Sequence, residues 1–205
     1  MTQRTISHAV FLAAFVAASP AQMRAQSDAP SGRPAIGVYL GLIYEASSFD
    51  SKSARVLEGE SGRIGLLVGR WSVGYVGKRI SNSSGVVVIQ PGQAPITSSL
   101  HVQGAEVGFL VPNRWPVRPS VHVTVGRGEV ETRQRSGLSS VSLGRASTPV
   151  IEPAVGIGVS LLRVFRAEGR VGVRLGRDVR LESEEIATSG VVASVTVSLG
   201  WMGAW

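Results

Sequence analysis

The sequence contains no cysteine in its 205 residues. No disulfide can staple the fold, so it must rest on burial and backbone pairing, and thiolate metal sites are excluded. Beyond residue 25 no run approaches the ~18 apolar residues of a membrane helix, which leaves strands as the only means of entering a bilayer. Helical i, i+3, i+4 periodicity is also missing. His101 and His122 lie 21 residues apart on different predicted strands and form no ligand set. The glycines from Gly156 to Gly158 lack the lysine and following helix of a phosphate-binding loop. The expectation is a protein without metal, cofactor or nucleic-acid partner.

What is present starts at the N-terminus. Arg4 precedes Ala9 to Ala18 (AVFLAAFVAA), ten apolar residues, and Ser19-Pro20-Ala21 or Met23-Arg24-Ala25 supplies a cleavage site. That is the pattern of a Sec-type signal peptide, too short to span a membrane. The expected organisation is a signal peptide over 1–21, with cleavage alternatively after 25, a short extension over 22–33 and one domain over 34–205. Cleavage after Ala21 leaves 20 basic and 14 acidic residues, a charge of +6. The expected mature chain is exported and mildly basic.

Apolar and small or polar residues alternate through the rest, as in strands whose faces meet different media. The alternation predicts eight strands: 34–44, 62–69, 72–80, 100–111, 117–130, 150–162, 165–179 and 191–205. Ile36, Val38, Leu40 and Leu42 share a face in the first, and Val121, Val123 and Val125 in the fifth. In the last, Val191, Val195, Val197, Leu199 and Trp201 oppose Ser194, Thr196, Ser198 and Gly200. The third has an open register, because Val73 and Tyr75 compete with Val76 and Ile80. Short turns at Arg70-Trp71, Pro112 to Pro116 and Arg163-Val164 alternate with predicted loops at Glu45 to Ser61, Ser81 to Ser99, Glu131 to Pro149 and Arg180 to Ser189. One end is trimmed and the other carries long connections, as in transmembrane barrels.

The same alternation suits a soluble barrel with its apolar face inward, so the medium must be decided separately. The non-apolar face is rich in glycine, including Gly37, Gly41, Gly65, Gly69, Gly104, Gly108, Gly126, Gly156, Gly158, Gly172, Gly176 and Gly200. Glycine weakens a solvated strand but fits the narrow interior of an eight-stranded barrel. Trp71, Trp115, Phe165, Trp201 and Trp205 gather towards the short-turn end, where an interfacial aromatic girdle would lie. Val117 to Val125 has about the length of a tilted membrane strand. The expected fold is therefore all-β: an eight-stranded antiparallel up-and-down transmembrane barrel with short periplasmic turns and longer extracellular loops.

On these residues the chain resembles the eight-stranded outer-membrane barrel superfamily of OmpA/OmpX-type proteins over Pro34 to Trp205. Trp205, Trp201, Leu199, Val197 and Val195 are similar to the terminal assembly signal of such proteins, from which Gly203 departs by lacking a side chain. PVRPSVHVTVG and RAEGRVGVRLG are similar to their fifth and seventh strands. The resemblance implies an outer-membrane location and recognition of the last strand by the barrel-assembly machinery.

With valines and leucines facing lipid, Glu106, His122, Glu152, Arg166, Glu168, Arg170 and Arg174 fall inside. Unpaired buried charge is costly, so a carboxylate and guanidinium network that plugs the barrel is expected. Arg127, Arg133, Arg135 and Arg145 near the outer rim fit attraction to acidic lipopolysaccharide. The functional expectation is a structural or interaction protein, not an enzyme, that offers its outer loops to an envelope or extracellular partner. The alternatives are a narrow channel, a soluble lipocalin-like periplasmic carrier, or a lipid A-modifying hydrolase. The last would need His101 and Ser99, whose Ser-Leu-His order departs from the deacylase pattern.

Overall fold

The computed structural model describes residues 36–49, 55–81, 96–112, 117–136, 139–161, 164–181, 184–186 and 188–201. The predicted signal peptide and extension, Trp115 and Trp205 lie outside them. The elements are β1 (Ile36–Phe49), β2 (Arg55–Val68), β3 (Trp71–Ser81), β4 (Ile96–Leu110), β5 (Val117–Ser136), β6 (Ser139–Ser160), β7 (Phe165–Gly176), β8 (Val179–Leu181), β9 (Glu184–Ile186) and β10 (Gly190–Trp201). Strands β1 to β7 and β10 form one closed antiparallel barrel, while β8 and β9 make a separate two-stranded sheet. Closure runs from Val38 opposite Trp201 to Ser47 opposite Val192. Because every barrel strand has two neighbours, no edge is left along the paired region.

Turn chemistry sets the short end. Gly69 and Arg70 connect Val68 to its ladder partner Trp71, and Gly69 has a φ of 61°. A two-residue hairpin needs positive φ at its first position, which glycine supplies without steric cost. The predicted place of Gly69 on the inner face is thereby corrected: it makes the turn.

Alternation then directs the side chains. Leu42, Leu66, Val125, Val155 and Val173 point outward and are exposed, Leu42 by 73% and Val155 by 62%. The residues next to them in the chain, Gly41, Thr124, Gly156 and Arg174, are buried on the inner face. The register of β3 follows the same rule, with Val73 and Tyr75 outward and Val76, Lys78 and Ile80 inward.

The strands outrun their predicted ends. Glu45 to Ser61 and Glu131 to Pro149 are mostly ladder instead of loop: β1 and β2 pair as far as Phe49 opposite Arg55, and β5 and β6 as far as Ser136 opposite Ser139. β4 begins at Ile96 within the predicted third connection, and β8 and β9 occupy part of the last. The physical reason is a reversal of polarity. In this outer portion Leu57, Ile80, Leu100, Val102, Val130 and Val150 form an apolar cluster inside the barrel, while Glu60, Arg79, Gln103, Arg127 and Arg133 are exposed outside. Where the exterior is polar, the interior carries the hydrophobic burial that holds the strands together.

Candidate functional site

The interior is layered along its length. Just below the outer apolar cluster, four charged side chains from four strands close a ring. Lys78 of β3 contacts Glu45 of β1 at 2.7 Å and also pairs with Glu152 of β6. Arg174 of β7 contacts Glu152 at 3.0 Å and pairs with Glu45. Each acid thus meets both cations.

Nearer the short turns lies a second group. Glu106 of β4 accepts from Arg63 at 3.2 Å and from Arg170 at 2.7 Å. Glu168 of β7 faces Arg63 at 3.4 Å, Arg170 at 3.1 Å and Arg166 at 3.5 Å, with His122 Nε2 at 2.9 Å. The Ser120 hydroxyl also donates to Glu168, and Arg63 donates to Ser198 Oγ at 2.9 Å. All these side chains are buried. Below them Tyr39, Leu67 and Leu110 form an apolar floor. Between the charged groups remains a cavity of about 10 Å³, bordered by Lys78, His122, Glu152 and Arg170. That is room for about one water molecule.

Glycines make this density attainable. A Cβ on Gly158 would strike the Arg166 guanidinium, and one on Gly108 would lie 2.5 Å from the His122 ring. The sequence places both on the small face, for a reason the structure makes specific: the large charged side chains lie across them.

Glu106, His122, Glu152, Arg166, Glu168, Arg170 and Arg174 are all inside, but they divide between the two groups. Glu45, Arg63 and Lys78 were not among the residues expected there. Arg63 alternates with the outward Ile64 and Leu66, so parity alone marks it as inward. Glu45 falls in a stretch that the alternation predicts as loop, and Lys78 lies on the strand whose register the alternation leaves open. Of the predicted aromatic girdle, Trp71 and Phe165 are exposed at the short-turn end, and Trp71 packs on Phe109 with ring centroids 4.8 Å apart. Trp201 pairs with Val38 through its backbone, and its side chain lies outside the described residues.

The outer wall carries separate chemistry. Arg127 donates to Ser147 Oγ at 2.8 Å, Arg133 to Glu131 at 2.8 Å, and Arg145 to Glu129. The hydrogen bond from Arg133 holds the Glu131 carboxyl below the usual carboxylate range. His101 is half-buried opposite Arg79 and Glu129, with Ser99 on the same face. The side chain of Arg135 lies outside the described residues.

No protein-family model matches the sequence, and no curated protein matches it. Among solved structures, the N-terminal β-barrel domain of Pseudomonas aeruginosa OprF is similar, with a TM-score of 0.51 and 14% identity, covering 83% of this chain and 100% of that one. Neisserial surface protein A also matches, with a TM-score of 0.49 and 14% identity over 83% of this chain and 97% of its own. The chain therefore has the fold of the eight-stranded outer-membrane barrels.

Proposed function

We propose that this chain is an integral outer-membrane protein in which a barrel, plugged by charged side chains, serves as a rigid stand for an interaction surface at its outer end. The observation that carries this reading is the pairing of an exposed apolar exterior with a buried charged interior. Apolar side chains such as Leu42, Val155 and Ile157 would be a large hydrophobic liability in water and are at home against acyl chains. The interior argues against conduction, since each carboxylate of the two buried groups meets at least two cationic groups and the cavity between the groups holds about one water. Chemistry on a substrate has no support in a network so enclosed.

Within this reading the N-terminal segment directs export, the last strand presents Trp201, Leu199 and Val197 to the assembly machinery, and the outer strands meet an envelope or extracellular partner. Cell fractionation tests the location, followed by electrophoresis of unheated and boiled samples. The expected result is recovery with outer membranes and a mobility that changes on boiling. A freely soluble periplasmic protein with one mobility would overturn the proposal.

A further inference from the structure

The exterior contains a recess where its apolar band gives way to polar residues. Gly62 of β2 and Gly77 of β3 are direct ladder partners, and both lie on the outward side of their strands. A Cβ on Gly62 would meet only the Gly41 carbonyl at 3.9 Å, and one on Gly77 only the Tyr75 ring at 3.8 Å. Side chains would fit at both positions, so the wall is hollow there for lack of them and not because neighbours crowd it. The hollow, about 430 Å³, is bordered by Leu42, Tyr75 and Arg79. Past His101 and Gln103 it meets a second groove of about 440 Å³ bordered by Arg127, Arg145 and Ser147.

Charge and height agree on an occupant. Arg145 is taken up by Glu129 and Arg133 by Glu131. Arg79 and Arg127 have no carboxylate partner among the described residues, although the exposed Glu60 borders the first hollow. Arg127 follows the exposed Val125 by two residues on β5, a rise of about 7 Å along the strand and about 5 Å along the axis of a tilted barrel. Tyr75, whose hydroxyl donates to Gln103 at 3.2 Å, marks the same border on β3. If the apolar band meets acyl chains, both arginines stand at the level of lipid phosphates. β4 alone separates their strands, a lateral gap of about 10 Å.

We infer that this recess binds a lipid headgroup carrying two phosphates, one held by Arg79 and one by Arg127, with the acyl chains lying along the apolar wall below. The site rests on the bilayer reading above. It extends that reading from general attraction to a defined place on β2 to β6.

The test uses the full chain folded in zwitterionic detergent, with unheated electrophoretic mobility as the check on folding. Native mass spectrometry then measures binding of diphosphorylated lipid A, its monophosphorylated form and inorganic phosphate. The expected result is preference for the diphosphorylated lipid, weakened about tenfold in the Arg79→Gln/Arg127→Gln variant, as befits two basic groups at a membrane surface. Arg70→Gln, at the opposite end, should bind as the unaltered chain does. Equal binding by the double variant, or indifference to the number of phosphates, overturns the site. So does tight binding of inorganic phosphate alone that depends on both arginines. A folded, boiling-sensitive barrel that shows any of these overturning results leaves the bilayer reading standing, whereas failure to show that mobility change removes both.

Discussion

At the scale of single residues, the small inner face is a matter of clearance. Gly104 and Gly126 face each other across β4 and β5. A Cβ on Gly126 would meet the Gln103 carbonyl and lie 2.6 Å from the Gly104 Cα. Backbone cannot step aside as a side-chain tip can, so Gly126→Ala should destabilise the barrel by about 1–3 kcal/mol. Gly169 is the contrast: it is exposed on β7, and a Cβ there meets nothing within 4 Å. Replacing it with a strong strand former should be neutral or stabilising by up to about 1 kcal/mol. Urea unfolding from lipid vesicles checks both, with a lower midpoint expected for Gly126→Ala and an equal or higher one for Gly169→Val. The opposite order would mean that the inner and outer faces have been exchanged.

At the scale of strands, the ring of Glu45, Lys78, Glu152 and Arg174 ties β1, β3, β6 and β7 together inside the barrel. Removing one acid leaves two buried cations short of a partner. Glu152→Gln should therefore cost about 3–5 kcal/mol, and the loss should change little with salt because the ring is shielded from ions. Adding Lys78→Met should restore part of the loss, since the excess cation is then gone; a double-mutant cycle with no coupling would contradict the ring. Outside, the polar β5–β6 extension behaves differently. Glu131 is depressed by Arg133, so its contribution is present above the ordinary carboxylate value and is lost as pH falls through the lower folded value. Arg133→Gln should move the Glu131 titration upward in an NMR pH series, and an unmoved titration would refute the pairing. These elements also mark what the sequence could tell. Strict alternation around Val121, Val123 and Val125, or Val195 and Val197, makes those strands legible, and Thr124 and Thr196 between the valines are buried on the inner face. The outer strand ends were illegible because the code inverts there. Leu57, Val130 and Val150 face inward while Arg127 and Glu129 face out, and nothing local announces the level at which the surroundings change. Lys78 and the β3 register were lost to the same ambiguity, since Ile80 is as apolar as Tyr75 but lies on the other side.

For the whole molecule, the decisive quantity is the height at which the exterior changes character, and the absence of native cysteine allows it to be mapped without background. Val123 and Val197 point outward within the apolar band, Arg127 and Arg145 point outward above it, and Thr196 points into the barrel. Single cysteines at these positions, in protein inserted into vesicles, should sort into three classes. Val123→Cys and Val197→Cys should resist a charged maleimide, and a fluorophore attached there before insertion should be quenched by brominated acyl chains. Arg127→Cys and Arg145→Cys should react rapidly with the maleimide, being within reach of water. Thr196→Cys should resist the reagent, because its side chain is fully buried inside the barrel, out of reach of solvent and of a bulky charged reagent. A soluble barrel of this fold would expose Val123 and Val197 to water as well as Arg127, so rapid labelling at all four outward positions would reject the bilayer. Labelling at Thr196 alone among the inward and lipid-level sites would instead reject the plugged interior while leaving the membrane placement intact, which separates the two halves of the proposed function in one experiment.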